Sequence, residues 1–275
     1  MKIKFWGTRG SIPVPDSRMI RYGGNTTCVE ITSGKSALII DAGTGIRKLG
    51  EDLVRRRISR FSIFLTHSHW DHIQGFPFFQ PIYATKTKVR VFGCTSSYQH
   101  LRKILQNQMS YEYFPISFSD LKSQISFGDT CAEGYRINDW RVTTIRTNHP
   151  AFTLGIKIEC ATGSFVFITD NELMHPAPHT TRDEFVRFCR DATYLIHDAQ
   201  FTEKEYADRK GWGHSTFEQA LTLARDAAAK NLGFFHHDPN REDDHLSRLE
   251  QKFARQGSRY GCTVFAAREM DELVV

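Results

Sequence analysis

The stretch HSHWDH at residues 67–72 contains three histidines and one aspartate, and it directly follows the apolar run FSIFLT. A strand over that run would place His67 and His69 at its end, and their two-residue spacing would put both side chains on one side. Asp71 and His72 would then lie in the turn beyond and point elsewhere. Imidazole suits zinc and similar metals, and carboxylate extends the choice to harder ions. The spacing therefore predicts two neighbouring metal sites, one for each pair.

Cysteine usage disfavours both a structural metal site and disulfide bonds. A structural zinc site would favour cysteines that close a tetrahedron, and none lies near residues 67–72. The six cysteines are widely scattered and form no CxxC pair: Cys28, Cys94, Cys131, Cys160, Cys189 and Cys262. Because the chain also shows no export signal, this pattern predicts reduced thiols in a cytoplasmic protein.

Composition and charge limit the class of protein and of ligand. Hydrophobic residues make up 40% of the 275 residues, and the chain has 21 phenylalanines, which is enough for a sizeable core. No apolar run approaches the length of a membrane span, so no membrane partner is expected. The net charge of +5 suits an anionic substrate but does not by itself predict nucleic-acid binding.

Hydrophobic periodicity predicts strands that alternate with helices in both halves of the chain, with successive strands between them. The predicted strands are Ile3–Trp6, Thr27–Thr32, Ala37–Asp41, Ile63–Thr66, Lys88–Phe92, Glu133–Ile137, Arg141–Arg146, Thr153–Glu159, Ser164–Thr169, Tyr194–His197 and Leu232–Phe235. The predicted helices are Thr44–Arg57, Ser96–Asn107, Ser215–Lys230 and Arg241–Arg255. A capping box of Ser215 and Glu218 is expected at the start of the third helix. Together these elements predict an α/β fold, an αββα four-layer sandwich, as a single domain over residues 1–275.

Further histidines and aspartates follow predicted strands, where the loops of α/β scaffolds carry function. These candidates are His149, Asp170, His197 with Asp198, and His236 with His237. Each one alone could be an ordinary polar group or cap at a strand end. Their recurrence at several strand ends favours a site shared with HSHWDH.

Motifs along nearly the whole chain resemble those of one family. HSHWDH matches the HxHxDH motif of the metallo-β-lactamase superfamily, and FWGTRGSIP, DAGTGIRKLG and FFHHDP resemble further segments of its tRNase Z and phosphodiesterase branch. HDAQF at residues 197–201 resembles the His-Glu-Ala-Thr motif of that branch, with Asp198 in place of glutamate. GHST at residues 213–216 resembles its His-Ser-Thr motif. The resemblance implies a metallo-β-lactamase fold and a hydrolase.

The resemblance implies a role for each matching residue. The implied ligands of the first metal are His67, His69 and His149, those of the second are Asp71, His72 and His236, and the bridging carboxylate is Asp170. His214 matches the histidine that contacts the scissile phosphate or assists the leaving group, and Asp198 matches the carboxylate that orients it. Asp71 is also expected to orient the nucleophile. Since His237 is adjacent to His236, either one could be the last ligand.

The implied chemistry is phosphodiester hydrolysis with two divalent metal ions, zinc first and manganese as the alternative. The nucleophile implied by the resemblance is a hydroxide held between the two ions. The motif of the diiron, oxygen-reducing members of the superfamily resembles HxExDH, with glutamate at the position of His69. A histidine at that position therefore favours hydrolysis over redox chemistry.

The spacing between two implied ligands narrows the expected substrate. Bacterial tRNase Z carries a long tRNA-binding arm between the residues that match His149 and Asp170, whereas only about twenty residues separate them here. A small phosphodiester or nucleotide, such as a cyclic nucleotide or a short oligonucleotide, is therefore expected, and tRNA is disfavoured. The alternatives are an RNA endonuclease of the tRNase Z type and a non-catalytic protein that binds metal and an anionic signal. Relatives that look like this are often dimers, so a homodimer is a further expectation.

The segment MSYEYFPISF at residues 109–118 is unusually rich in aromatic residues. One interpretation is a lid whose Tyr111, Tyr113 or Phe114 stacks on a nucleobase. The other interpretation is a connection that supplies core or dimer contacts. The sequence leaves both open.

Overall fold

The protein is described in a computed structural model over residues 1–34, 36–93, 98–128, 135–137 and 139–275. Its strands are β1 Lys2–Gly7, β2 Cys28–Ser33, β3 Ser36–Ile40, β4 Arg60–Leu65, β5 Lys88–Gly93, β6 Gln124–Gly128, β7 Tyr135–Ile137, β8 Trp140–Arg146, β9 Leu154–Cys160, β10 Gly163–Ile168, β11 Tyr194–Asp198, β12 Asn231–Phe235, β13 Thr263–Ala266 and β14 Glu272–Val274. Its α-helices are α1 Ile46–Arg55, α2 Trp70–Ile73, α3 Tyr98–Asn107, α4 Arg182–Cys189, α5 Glu203–Tyr206, α6 Phe217–Asp226 and α7 Asp243–Gly257.

The described strands pair into two sheets of seven strands each. The first sheet has the order β14-β1-β2-β3-β4-β5-β6, and the second has the order β13-β12-β11-β10-β9-β8-β7. Strands β3 to β6 run parallel to one another, and so do β10 to β13. Since parallel neighbours end at the same edge of a sheet, the residues that follow β10, β11 and β12 lie side by side.

Three apolar clusters show how the layers pack. Strand β10 is buried on both faces, with Phe167 in the cluster between the sheets and Val166 in the cluster beneath α4, α6 and α7. Leu49 of α1 belongs to a third cluster on the outer face of the first sheet, which also holds apolar residues of α3. Helices therefore cover the outer faces of two packed sheets, and the predicted αββα sandwich is confirmed.

The capping box predicted for α6 is wrong. The N-cap is Thr216, whose hydroxyl accepts a hydrogen bond from the backbone N–H of Gln219. The Ser215 hydroxyl instead donates to the carbonyl oxygen of Asn171 at 2.6 Å. Because this tertiary bond engages Ser215, the helix begins after Thr216 and the expected partner Glu218 has no part in the cap.

Other differences concern elements that the hydrophobic pattern does not reveal. Helix α4 and strands β13 and β14 have no counterpart among the predicted elements, although β14 pairs with β1 and β13 with β12. The predicted starts of a helix at Ser96 and of a strand at Glu133 lie outside the described residues. No helix in the described ranges is long and apolar enough to cross a membrane.

The cysteines that the structure describes are free thiols: Cys28, Cys160, Cys189 and Cys262. Cys94 and Cys131 lie outside the described residues. Burial raises the pKa of the Cys28 thiol well above its usual value and also raises that of Cys189. These two buried thiols pack as small core residues.

Candidate metal centre

Three side chains of the site follow strands in an unusual backbone conformation. Asp41 after β3, Asp170 after β10 and His236 after β12 have φ values of 62°, 52° and 58°. Left-handed backbone is uncommon for residues other than glycine, and it concentrates at functional sites. The side chains of all three are buried. The strand ends therefore aim polar groups into the interior, where apolar residues would otherwise be expected.

The first group of candidate ligands consists of His67, His69, His149 and Asp170, whose ligand atoms all lie within 4.8 Å of one another. The Oδ1 atom of Asp170 is 3.7 Å from His67 Nε2 and 3.8 Å from His149 Nε2. His149 Nε2 is also 3.1 Å from His69 Nδ1. Residues from the turn after β4, the loop after β8 and the end of β10 thus converge on one point.

The second group consists of Asp71, His72 and His236, which also lie within 4.8 Å of one another by their ligand atoms. Asp71 Oδ2 is 3.4 Å from His72 Nε2 and 3.2 Å from His236 Nε2. The Oδ2 atom of Asp170 faces this group, at 3.2 Å from His72 Nε2 and 3.4 Å from His236 Nε2. The two oxygens of Asp170 therefore face different groups.

The donor set fits two divalent cations. The Nε2 atoms of His67 and His72 are buried and have no hydrogen-bond partner among the described residues. A buried nitrogen without a partner destabilises the folded protein. Cations beside Asp170 would bind both of these nitrogens. Nitrogen and carboxylate donors in this mixture suit zinc and other first-row metals.

Electrostatics keeps the carboxylates of the site negatively charged. Burial alone would raise the pKa of Asp71 and Asp170, but the nearby imidazoles, including His72 and His236, hold the pKa of both carboxyls well below the usual range. Burial would likewise lower the pKa of His236, yet Asp170 and the other carboxylates raise it to about 9. Burial dominates at His149 and lowers its pKa to about 4. The carboxylates thus remain ionised, which a cation-binding site requires.

The far ring nitrogens of three histidines are held by partners that the sequence analysis did not assign. His72 Nδ1 lies 2.7 Å from Asp41 Oδ2, and His149 Nδ1 lies 3.2 Å from a backbone carbonyl oxygen, that of Gly213. His236 Nδ1 lies 3.0 Å from the side-chain oxygen of Gln200. Such bonds set the tautomer and leave Nε2 free to bind a metal. The sequence signal that could have identified these partners is their position in the motifs: Asp41 lies in DAGTG, Gln200 in HDAQF and Gly213 in GHST.

His214 and Asp198 form a hydrogen-bonded pair beside the two groups. His214 Nδ1 lies 2.7 Å from Asp198 Oδ2, so the shorter aspartate still reaches the imidazole. Asp198 is fully buried and also accepts hydrogen bonds from three backbone N–H groups, those of Asp170, Gln200 and Ser215. His214 lines the same pocket as Asp71 and Asp170. Its ligand atom also falls within 4.8 Å of those of Asp170 and His236, so geometry alone permits His214 either beside the metals or as a ligand.

The other two histidines of the candidate strand ends point away from the pocket. His237 Nε2 donates to the carbonyl oxygen of Ala267 at 2.8 Å, and its ring packs on Tyr22. His197 Nε2 lies 3.1 Å from the Asn171 amide in the buried interior. The structure therefore brings His236, and neither of these, next to Asp71.

The segment after β1 closes the second group from outside. The backbone N–H of Ser11 donates to Asp71 Oδ2 at 2.7 Å. Gly10 lies against the His236 ring, where an added Cβ would be 2.4 Å from ring atoms. The buried guanidinium of Arg9 donates to backbone carbonyl oxygens of Gly23 and of the loop after β12. The motif GTRGS thus positions Asp71 and His236, and a glycine is required at position 10 by the close approach of the ring.

The sequence match to a known family covers this centre. Residues 37–237 match the family described as the beta-lactamase superfamily domain, and they include every candidate ligand from His67 to His236. The chain belongs to the metallo-β-lactamase superfamily. The resemblance on which the sequence analysis depends is thereby confirmed.

Individual members of the superfamily extend the comparison. Ribonuclease Z from Pyrococcus horikoshii is 24% identical over 289 aligned residues, which cover 87% of each chain. Human tRNase Z, short form, superposes with a TM-score of 0.69 at 19% identity, over 100% of this chain and 99% of that one. A diphosphatase of the PhnP family superposes with a TM-score of 0.71 at 17% identity, over 100% and 97%. The structural likenesses show the metallo-β-lactamase fold.

As a metallo-β-lactamase superfamily member similar to these enzymes, the protein is a hydrolase, and the non-catalytic alternative is not retained. The expectation that tRNA is disfavoured gains no support, because the similar proteins include ribonuclease Z and tRNase Z. Strands β9 and β10 do form a short hairpin between His149 and Asp170. A missing arm removes one possible contact region but leaves the metal centre intact, so it does not by itself exclude tRNA.

A buried carboxylate that the sequence analysis missed supports the loop before His214. Glu172 is fully buried and accepts hydrogen bonds from the backbone N–H groups of Gly211 and Gly213, at 2.9 Å each. It also accepts one from the Tyr206 hydroxyl at 2.7 Å. Because the Gly213 carbonyl contacts His149, Glu172 helps to position residues of both the metal group and the His214 pair.

Replacing Glu172 by glutamine is expected to lower kcat about 10- to 100-fold, the usual range for groups that orient metal-site residues. The new amide NH₂ would face an N–H or O–H donor, so the loop that carries His214 would shift. Kinetics on a phosphodiester and metal analysis of the same sample would measure this. Tyr206→Phe is the matched control, since it removes one donor and leaves the carboxylate on both backbone N–H groups. Equal kcat values for Glu172→Gln and Tyr206→Phe would contradict the positioning role.

Proposed function

We propose that this protein is a metal-dependent phosphodiesterase that hydrolyses a small anionic diester, such as a cyclic nucleotide or a short oligonucleotide. The observation that carries the proposal is the position of Asp170, whose two oxygens face two separate groups of candidate ligands. The His214–Asp198 pair stands beside them in the same pocket. Two cations match the negative charge of a phosphodiester, and an imidazole N–H can donate a hydrogen bond to one of its oxygens.

His67, His69 and His149 would hold the first cation, Asp71, His72 and His236 would hold the second, and Asp170 would contribute to both. We propose zinc as the physiological metal, with manganese as the alternative, because imidazole is the main donor. When bound, such ions polarise phosphoryl oxygens and lower the pKa of water. The remaining chemistry belongs to side chains of the chain itself.

His214 and Asp198 are proposed to handle the proton of the leaving group. With Nδ1 bonded to Asp198, the Nε2 atom of His214 is left for the pocket. An imidazole so oriented can contact a phosphoryl oxygen and donate a proton to the departing oxygen. Asp71, held by the N–H of Ser11, is proposed to orient the attacking water as well as to bind metal. These roles divide the site into an attacking side and a leaving side.

The open shape of the pocket suits a diester that is only partly enclosed by protein. The pocket has a volume of about 470 Å³ and opens to solvent beside Ser68 and Trp70. A chain of nucleotides or a cyclic nucleotide can therefore project out of it while the phosphate lies over Asp170.

The proposal is tested with bis(p-nitrophenyl) phosphate and protein stripped of metal by a chelator. Adding Zn²⁺ or Mn²⁺ is expected to restore turnover, saturating near two ions per chain by elemental analysis. Mg²⁺ is the comparison ion, because it prefers oxygen donors and is expected to restore less. Reconstituted protein that binds two ions but hydrolyses neither this diester nor a cyclic nucleotide would contradict the proposal.

RNA endonuclease activity of the tRNase Z type is the second candidate, and the similarity to ribonuclease Z over 87% of the chain favours it. It predicts cleavage of tRNA precursors at one site, with affinity that falls steeply as salt rises. A small-diester enzyme would instead turn over cyclic nucleotides with weak salt dependence. A cytoplasmic location and a homodimer stay predictions of the sequence, which fractionation and sedimentation would test.

A further inference from the structure

An aromatic groove with a volume of about 560 Å³ lies directly beside the metal centre. Its walls include Trp70, Phe78 and Tyr113, which are 82%, 58% and 80% exposed. Phe114 completes the wall, with its ring edge-on to that of Phe78 at 5.3 Å between centroids. Large aromatic side chains clustered in this way at a surface usually mark a binding site.

The groove is continuous with the proposed catalytic pocket. Ser68 and Trp70 line both. Trp70 also stands between His69 and Asp71 in the sequence, so its backbone is held by a proposed ligand of each cation. Whatever is attached to a phosphate over Asp170 would therefore pass along the ring of Trp70.

The lining of the groove contains amide groups as well as rings. Its lining includes the carboxamides of Gln74, Asn107 and Gln108. Gln108 Nε2 is buried, and no described residue accepts a hydrogen bond from it. A purely apolar occupant would leave that donor without a partner, which is costly. The lining therefore suits a flat ligand that has hydrogen-bond acceptors on its edge.

The aromatic segment at residues 109–118 contributes one wall, and the structure divides its residues between two roles. Met109 is fully buried in the third apolar cluster, on the outer face of the first sheet, and this burial anchors the segment. Tyr111 and Tyr113 are exposed. The segment is thus partly a core connection and partly, through Tyr113 and Phe114, a wall of the groove. The interpretation as a lid on a nucleobase stays a prediction.

We infer that this groove binds the nucleobase of the nucleotide whose phosphate lies at the metal centre; the inference rests on the proposed phosphodiesterase function. A base has two flat faces for Trp70 and Phe78 and an edge of acceptors for Gln108. Base–aromatic stacking tolerates different bases, while a single amide adds a modest preference. The proposed substrate class is therefore a nucleotide diester rather than a diester of a simple sugar or glycerol.

The test compares AMP with ribose 5-phosphate, which differ only in the base. Binding is measured by tryptophan fluorescence in a Trp212→Phe background, where Trp70 is the exposed tryptophan, since Trp6 and Trp140 are buried. AMP is expected to quench the fluorescence and to bind at least about tenfold more tightly than ribose 5-phosphate, within the range of one stack. Ribose 5-phosphate is expected to bind without quenching.

Variants locate the effect without relying on activity. Trp70→Ala and Phe78→Ala, measured by calorimetry, are expected to reduce the preference for AMP at least about fivefold, and Gln108→Leu about threefold. Tyr260→Ala is the matched control, an exposed aromatic on the 3₁₀ turn Ser258–Tyr260, and it is expected to keep the preference. Trp70→Ala could act indirectly by disturbing the neighbouring residues His69 and Asp71. Phe78→Ala controls for this effect, because Phe78 is not adjacent to a proposed ligand in the chain.

The possible outcomes are distinct. Equal binding of AMP and ribose 5-phosphate, or a preference that survives both Trp70→Ala and Phe78→Ala, would overturn the inference. So would a dimer that dissociates on Trp70→Ala while AMP shows no preference, because the groove would then be an interface between copies of the chain. Absence of diester hydrolysis by the wild type would overturn the proposed function, and the binding comparison would still report on the groove.

Discussion

Replacing His214 by alanine is expected to lower kcat about 10²- to 10⁴-fold while both metal ions stay bound. This is the usual contribution of one positioned acid or base. The imidazole is oriented by Asp198 at 2.7 Å and lines the pocket, but it belongs neither to the group of His67, His69, His149 and Asp170 nor to the group of Asp71, His72 and His236. KM is expected to change much less than kcat, since a leaving-group proton matters in the transition state.

The experiment needs kinetics and elemental analysis on the same preparation, because His214 also lies near Asp170 and His236. Loss of one metal ion on His214→Ala would show that His214 is a ligand and contradict the proposed role. Asp198→Asn is the companion variant and is expected to lower kcat in the same direction, since it disturbs the tautomer. His245→Ala, an exposed histidine on α7, is the control and should change neither quantity.

Replacing Asp170 by asparagine is expected to have the largest effect, a fall in kcat/KM beyond the 10²- to 10⁴-fold of a single proton-transfer group. The asparagine keeps the shape of the side chain but offers only one oxygen, whereas both oxygens of Asp170 face ligand groups. Bound metal is expected to fall from two ions per chain to one or fewer. Titration with Zn²⁺, followed by elemental analysis, measures this directly.

Circular dichroism of Asp170→Asn guards against a simple loss of folding. The adjacent histidines supply a matched pair of controls. His236→Ala is expected to lose the second ion, whereas His237→Ala is expected to keep both, at some cost in stability because its ring contacts Tyr22 and Ala267. Loss of metal from His237→Ala but not from His236→Ala would contradict the ligand assignment.

Local patterns in the sequence were sufficient for the layers and for most of the site. The apolar runs at β4 and β10 place polar residues at strand ends, and the two-residue spacing of His67 and His69 needs only strand geometry. The strand ends also supplied Asp170 and Asp198 as candidates, and the resemblance then added His214 and a role for each residue. The expectation that tRNA is disfavoured went beyond what the spacing between His149 and Asp170 can decide. An inserted arm adds contacts to the substrate without changing the chemistry of the metal centre.

Supporting contacts were beyond local reasoning because their partners are distant in the chain. Asp41 lies 31 residues before His72, and Gln200 lies 36 residues before His236. Only the parallel pairing of neighbouring strands brings such residues together. The role of Glu172 was not predicted for the same reason, since its carboxylate accepts hydrogen bonds from a loop about forty residues later.

The sequence by itself determined the αββα class, the metal-binding chemistry and the candidate ligands within HSHWDH, because short-range spacing and residue type decide these. Tertiary structure alone showed that His236, and not His237, lies beside Asp71. Successive residues after a strand point to opposite sides, and the left-handed φ of 58° at His236 turns that side chain toward Asp71. It also joined Trp70 and Phe78 to Tyr113 in one groove, since a surface shared by separate segments exists only after the sheets and helices have packed.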